Sequence, residues 1–165
     1  MNKDYLKQIN EIFTVDQEVR LKCQPGRELP NYLVYVTDIA NNYRIHLLIN
    51  QYGYPTGKIL GKRGMKTFHL VILHQWFDIK LQEECLEHCQ FEPPLTAALI
   101  DRIRHNYGKK QLYGTMLNAE IEDKKNVDKR RKKMGLNTLK QYLSFSKGEQ
   151  IKIKKLKKFD YYKIK

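Results

Sequence analysis

The stretch AALIDRIRHNYGKKQLYGT, residues Ala97 to Thr115, decides the fold of this chain, because a helix, a basic turn and a polar segment follow one another in it. Apolar residues at helical spacing predict the helix, and Gly108 ends it. Asp101 and Arg102 lie beside its apolar face. A charge in such a place costs several kcal/mol unless it is paired and hydrogen-bonded. The two residues therefore indicate either a structural ion-pair network or a functional site.

The segment after the turn is rich in side chains that form hydrogen bonds. Gln111, Tyr113 and Thr115 surround Gly114, which lets a backbone approach closely. We interpret the three side chains as candidate ligand contacts.

A histidine ends the most apolar run of the chain, Met65 to Gln75, which we expect to be the central buried element. Two interpretations of His74 stay open. It is either a satisfied core or capping residue, or an imidazole at the mouth of a cleft that moves protons near neutral pH.

The N-terminal residues 3–22 predict a helix whose buried stripe includes Tyr5, Ile9 and Ile12. Asp16, Gln17 and Arg20 continue that stripe, so we expect these polar side chains to lie on the buried face of the helix. The alternative is an Asp16/Arg20 pair on the surface, worth a few tenths of a kcal/mol.

Further helices are predicted at 31–51, 78–91, 127–134 and 138–145, with a loop at 23–30 and another across the glycine-rich 53–64. In the second helix apolar residues repeat every three to four positions: Leu33, Val36, Ala40, Tyr43, Leu47 and Leu48. Pro93-Pro94 is expected to stop one helix, and Thr96 to cap the next. The run KRRKK, with Arg130 and Arg131, is interpreted as a solvated face.

With 165 residues, the chain is expected to form one mainly α, compact multi-helix domain with long loops over residues 1–145, followed by a basic tail, 146–165. The start of the chain has no apolar signal core and no apolar run is long enough to span a membrane, so we expect a cytoplasmic protein, with export by a route other than Sec left open. Cys23, Cys85 and Cys89 do not form a zinc pattern. We predict neither a metal nor a cofactor.

Positive charge dominates the chain, which has 31 basic and 18 acidic residues and a net charge of +13. Eight lysines fall in the tail, interleaved with Ile, Leu, Phe and Tyr. Such a tail is either a disordered end or an arm that contacts nucleic acid or an anionic membrane.

Residues 14–143 resemble an uncharacterised bacterial family, a domain of unknown function, through blocks that occur in one order. The blocks are DQEVR (Asp16 to Arg20), YGYP (Tyr52 to Pro55), LHQWFD (Leu73 to Asp78), IDR (Ile100 to Arg102), QLYGT (Gln111 to Thr115), IED (Ile121 to Asp123) and VDKRRKKMGLNTLKQYL (Val127 to Leu143). The resemblance implies a mainly helical domain. It brings no established activity.

The resemblance also implies one shared site. Its residues would be Asp16, Gln17, Arg20, His74, Asp101, Arg102, Gln111, Tyr113 and Thr115. This chain departs from the family pattern at Met116, where a glutamine is usual, and at Trp76-Phe77, which replace small residues.

Three hypotheses about function follow. The first is a metal-independent hydrolase or group-transfer enzyme for a phosphate- or carboxylate-bearing small molecule: Arg20 and Arg102 clamp the anion, His74 is the acid or base, and Asp16 or Asp101 orients it. Gln17, Gln111, Tyr113 and Thr115 position the ligand. The second is a binding module that uses the same pocket without chemistry. The third is an interaction or effector protein that acts through its basic surface and tail.

Overall fold

Helices make up most of the computed structural model, which describes residues 1–22, 28–117 and 119–145. The helices are α1 (Lys3–Lys22), α2 (Glu28–Tyr52), α3 (Gly57–Leu73), α4 (Ile79–His88), α5 (Pro93–Asn106) and α6 (Val127–Lys133), with a 3-10 turn at Lys124–Asn126. Residues 139–145 are also helical. The predicted mainly α class is confirmed. The predicted tail and residues 23–27 of the predicted loop at 23–30 lie outside the described residues. The loop prediction is wrong for residues 28–30, because α2 begins at Glu28.

α1 lies against both α2 and α3, and its inner stripe is the one that the sequence predicts. Tyr5, Ile9 and Ile12 are fully buried, and Asp16 follows them on the same face. The side chains that enclose this stripe come from α2, α3, α4 and α5. They include Ile45, Leu48, Leu60, Phe68, Val71, Ile72, Leu81, Cys85 and Leu99. In the described ranges, no helix is both long enough and apolar enough to cross a membrane.

The glycine-rich segment is helical over much of its length, so the loop predicted for 53–64 is wrong after residue 56. α3 begins at Gly57 and bends at Gly61, whose φ of 69° interrupts the helix without ending it. The fully buried Leu60 keeps the first turn in place. A Cβ at Gly64 would lie 2.7 Å from a methyl carbon of Leu6, so glycine here lets α1 and α3 approach closely. Packing thus overrides local glycine content.

Pro93-Pro94 forms the first turn of α5 and also separates α5 from α4. α5 begins at Pro93, a position where proline loses no hydrogen bond, and Glu92 is its N-cap residue. The prediction that Thr96 is the cap is therefore wrong, and its hydroxyl donates instead to the carbonyls of Phe91 and Glu92. α4 starts with a capping bond from the Leu81 N–H to the Asp78 carboxylate.

The apolar repeat of α2 lies mostly on its outer side. Of the repeating residues only Leu48 is buried, whereas Leu33, Val36, Tyr43 and Leu47 are each more than 40% exposed. The buried face instead runs through Asp38, Asn41, Ile45 and Leu48. The helix is apolar on both sides, so periodicity alone does not identify the face that meets the core.

One buried histidine gives the fold a pH dependence. His69 is 2% exposed, and its Nε2 donates to the carbonyl of Leu95 at 2.7 Å. Its Nδ1 is buried with no partner among the described residues. Burial lowers the pKa of His69 to about 4, because a proton on Nδ1 would place an unpaired charge in the core.

We expect this histidine to destabilise the protein in weak acid. Between its ordinary pKa of 6.5 and about 4 the unfolded chain binds a proton that the folded chain does not, so stability is complete above 6.5 and falls as the pH drops. The full loss is about 3 kcal/mol. His69→Gln, which keeps a donor for Leu95, should flatten this part of the curve in urea unfolding from pH 7 to 4. Parallel curves for the variant and the wild type would contradict the assignment.

Candidate functional site

A buried carboxylate and a histidine from distant parts of the chain meet at the end of α3. Asp16 on α1 is 1% exposed, and His74, the C-cap residue of α3, places its Nδ1 2.9 Å from Asp16 Oδ1 and 3.0 Å from Oδ2. The Gln17 amide donates to Oδ2 at 2.7 Å. The alternative of an exposed Asp16/Arg20 pair is therefore wrong, because the carboxylate is inside the molecule.

The surroundings of Asp16 determine which imidazole nitrogen carries the hydrogen. Arg20 Nε lies 3.1 Å from both Asp16 Oδ1 and His74 Nδ1, and a guanidinium has only donors. His74 Nδ1 and Arg20 Nε therefore both donate to the Asp16 carboxylate. The contact between these two nitrogens is between two donors and is not a hydrogen bond. His74 Nε2 is left as the acceptor. The His74 side chain is 23% exposed, so solvent can reach this ring.

Arg20 joins this pair to α2. Its Nη2 lies 2.5 Å from Asp38 Oδ1 and 3.1 Å from Asp16 Oδ1. Burial raises the pKa of Asp38, and the charge and hydrogen bond of Arg20 only partly offset it. Burial also opposes ionisation of Asp16, but His74, Gln17 and Arg20 outweigh it, and the pKa of Asp16 lies below its usual value. Asp16 is thus the ionised anchor of the cluster.

Arg102 is the charged group with the least compensation. Its Nε is buried and has no hydrogen-bond partner among the described residues. Burial lowers the pKa of Arg102, and the positive charge of Arg20 lowers it further. The two guanidinium groups are therefore within electrostatic range of each other, while Asp16 and Asp38 both bind Arg20.

The Asp101 carboxylate, beside Arg102 on α5, organises the loop that follows the helix. It is fully buried and accepts the backbone N–H groups of Leu112, Tyr113 and Thr115 at 2.7 to 3.2 Å. The Thr115 hydroxyl donates to it at 2.8 Å. This many donors satisfy both oxygens, so the carboxylate holds the loop in place.

The carbonyl groups of the same loop are bound by Arg131, so its interpretation as a solvated residue is wrong. Arg131 is 2% exposed, and its Nη1 donates to the carbonyls of Tyr113 and Gly114 at 2.6 and 3.2 Å. Its guanidinium lies over the ring of Tyr142, whose hydroxyl donates to the Thr115 carbonyl. Arg130 is also half-buried and donates to the carbonyl of Leu112. The acceptors of these arginines are loop carbonyls distant in the chain, so the basic run by itself does not predict that they are buried.

Gln111 closes the loop on itself. Its side-chain amide donates to the carbonyls of Met116 and Ala119 and accepts the Met116 N–H at 3.0 Å. Gly114 has a φ of 66°, and a Cβ there would lie 2.8 Å from Ile121. The half-buried Tyr113 side chain forms no hydrogen bond within the described residues, although its backbone is bound on both sides.

The residues predicted for one site fall into two groups. Asp16, Gln17, Arg20 and His74 are in direct contact. Asp101, Gln111 and Thr115 form a second group, whose polar atoms bind the loop backbone. Arg102 is linked to the first group through the charge of Arg20, and it follows Asp101 in the chain.

Sequence reasoning missed Asp38 and the structural role of Arg131. A signal for Asp38 existed, because it is the only acidic residue in 31–51 and shares a helical face with Ile45 and Leu48. Next to the cluster, Asp78 also binds Asn42 at 3.0 Å and His46 at 2.8 Å, which ties α2 to the start of α4.

The sequence model of a family of unknown function (DUF6624) matches residues 12–154, and the chain belongs to this family. The predicted membership of an uncharacterised domain-of-unknown-function family is thereby confirmed. Comparisons with curated proteins and with solved structures find no match.

The role of Asp101 can be tested by stability. Asp101→Asn keeps the size of the side chain but turns an NH2 group toward backbone N–H donors, so we expect a loss of about 3 kcal/mol in the free energy of unfolding. Thr115→Val, which removes one of the bonds, should cost only about 1 kcal/mol. Both are measured by urea unfolding at pH 7. An Asp101→Asn variant as stable as wild type would contradict this role.

Proposed function

We propose that this DUF6624 protein binds a small phosphate- or carboxylate-bearing anion beside Arg20 and Arg102, and that His74 moves a proton there. The observation that carries the proposal is the buried, unpartnered Nε of Arg102, whose guanidinium is within range of the charge of Arg20. Arg102 is half-buried, and leaving a buried donor such as its Nε without an acceptor is costly. An anion would supply that acceptor.

The acid–base part of the proposal rests on the tautomer of His74. Asp16 accepts a hydrogen bond from Nδ1, so Nε2 has a free lone pair and can act as a base on a ring that solvent reaches. This is how a carboxylate prepares a histidine for general base catalysis. In the proposed reaction Nε2 takes a proton from water, and the water oxygen forms a bond to the phosphorus or carbonyl carbon of the ester or anhydride. The bond from that atom to the leaving-group oxygen breaks, and the same proton goes to that oxygen. Metal-independent hydrolysis is the reaction class.

Roles of the remaining residues follow from their contacts. Asp16 holds His74 in place, Gln17 donates to Asp16, and Arg20 is oriented by Asp16 and Asp38. Asp101, Gln111 and Thr115 position the loop that carries Tyr113. We assign them to positioning, and we assign ligand contact to the Tyr113 side chain.

Anion binding predicts an unusual pair of results for Arg102→Gln. The variant loses the ligand contact but also loses a buried donor that has no partner and a positive charge near Arg20, so its melting temperature without ligand should equal or exceed that of wild type. Inorganic phosphate at about 100 times its dissociation constant should stabilise the wild type by about 2.7 kcal/mol and leave the variant unchanged. Thermal shift with phosphate, sulfate and acetate measures both.

The matched control is Arg63→Gln, which removes the same charge from an exposed site on α3. It should keep the response to phosphate. A destabilised Arg102→Gln that still responds to phosphate would make Arg102 a structural residue and contradict the proposal.

Catalysis is tested separately with His74→Ala and Asp16→Asn, assayed on a panel of phosphate and carboxylate esters with a chelator present. We expect His74→Ala to lower the turnover rate by about 10²- to 10⁴-fold with phosphate affinity retained. Asp16→Asn frees the ring to adopt the other tautomer and should lower the rate by about 10²-fold or more. Wild-type protein that binds phosphate but turns over no ester would instead be a binding module. That outcome contradicts the catalytic half of the proposal alone.

A further inference from the structure

The outer side of α2 carries an apolar stripe that no described element covers. The stripe consists of Tyr32, Val36, Ile39, Ala40, Tyr43 and Leu47, all exposed. We call it the outer stripe. Among the described helices α2 packs against α1 through its opposite face, while Asn42 and His46 bind Asp78 and Tyr35 contacts Trp76 and Phe77. The outer stripe runs about 22 Å along the helix.

Charge is missing from this surface. In residues 31–51 the only charged side chains are Asp38, which is buried, and Arg44, whose side chain is 37% exposed and pairs with Glu11 on α1. The whole chain, by contrast, is 30% charged with a net charge of +13. Depletion of Lys, Glu and Asp together with enrichment in Tyr is the composition of the core of a protein–protein interface. A solvated helix of this chain would be expected to carry lysine.

The order of residues in the outer stripe indicates what covers it. The stripe is symmetric about a point between Ile39 and Ala40. If two α2 helices cross antiparallel at this point, Tyr32 faces Leu47, Val36 faces Tyr43, and Ile39 faces Ala40. Every member then meets another member, which is the property of an interface made by a two-fold axis. The small Ala40 lies at the centre, where it lets the two backbones approach.

The spacing is also that of paired helices. Tyr32, Val36, Ile39 and Tyr43 follow one another at four, three and four residues, the alternation of a heptad seam. Ala40 and Leu47 widen the seam on one flank. On the other flank Tyr35 contacts Trp76 and Phe77, with ring centroids 6.3 and 6.4 Å apart. Trp76 is 50% exposed, so the apolar surface continues beyond the helix.

We propose that a second copy of this chain covers the outer stripe, in an antiparallel, two-fold dimer of α2. Each large side chain of the stripe leaves on the order of 100 Å² exposed, so the stripe with its aromatic flank approaches the roughly 800 Å² per partner of a stable interface. A chain of high positive charge repels its copies wherever lysines face each other. The outer stripe is a surface on which two copies meet without that repulsion.

The first test is the mass of the full-length chain in solution, measured by light scattering up to roughly 100 µM, where a dimer with a dissociation constant of about 10 µM is mostly formed. Twice the mass of one chain is expected. Ile39→Glu places two carboxylates at the centre of the interface and should raise the dissociation constant at least roughly 30-fold. Val15→Glu on α1 is the control, because Val15 and Ile39 are both 44% exposed. It should remain a dimer.

The antiparallel arrangement is tested by a charge exchange. Val36→Glu and Tyr43→Lys should each weaken the dimer, and an equimolar mixture of the two variants should restore it, because residue 36 of one chain faces residue 43 of the other. In a parallel dimer each residue faces itself, so mixing only removes the repulsion between like charges and creates no attraction. The antiparallel rescue is distinguished by its loss in about 1 M salt, which screens the attraction between positions 36 and 43. Circular dichroism melting confirms that each variant is folded, and Tyr43→Lys replaces Ile39→Glu if the latter is not.

The proposal is overturned by a wild-type chain that stays monomeric over the whole range, by a dimer that survives Ile39→Glu, or by variants that mixing does not rescue. A monomer that binds lipid vesicles, and loses that binding in Ile39→Glu, assigns the stripe to a membrane surface and also overturns it.

Discussion

The interior of this protein depends on the carboxylate of Asp16. It lies on the same stripe of α1 as Tyr5, Ile9 and Ile12, so burying that stripe buries the charge as well. A carboxylate can remain ionised there only if donors surround it, and His74, Arg20 and Gln17 supply them from α1 and from the end of α3. Arg20 then requires a second carboxylate, which Asp38 provides from α2. One buried charge thereby fixes the positions of three helices.

The second buried carboxylate, Asp101, shows a different solution to the same problem. Its donors are backbone N–H groups of one loop, and the loop carbonyls are bound in turn by Arg131 and Tyr142. Within the described residues, the polar groups of this arrangement bind one another, and the Tyr113 side chain is left without a hydrogen bond. Near the first cluster, by contrast, Arg102 Nε is buried without a partner among the described residues. His74 uses its Nδ1 to bind Asp16, and its ring is partly exposed. The difference in satisfied hydrogen bonds separates a structural cluster from a candidate site.

Much of the framework could be predicted from the sequence, since α1 and the helix ending at Gly108 follow from simple apolar spacing. The predictions failed where packing or distant partners decide. α2 has apolar residues on both sides, so its longest repeat pointed to the wrong face, and the single Asp38 was the better guide. Glycine content predicted a loop where α3 begins. The segment is helical because Leu60 is buried, and Gly61 only bends the helix. Arg131 looked solvated, because its acceptors lie 17 and 18 residues away in a loop with no sequence signal of its own.

α2 connects the candidate site to the outer surface. Its inner face brings Asp38 to Arg20, and its outer face presents an uncharged stripe to whatever covers it. The inner contacts hold α2 firmly, because Asp38 binds Arg20 while Asn42 and His46 bind Asp78 at the start of α4. The helix that would form the centre of a dimer is therefore also the helix that orients Arg20. A partner on the outer stripe would add contacts to α2 from its second side, so assembly would stabilise the framework of the candidate site.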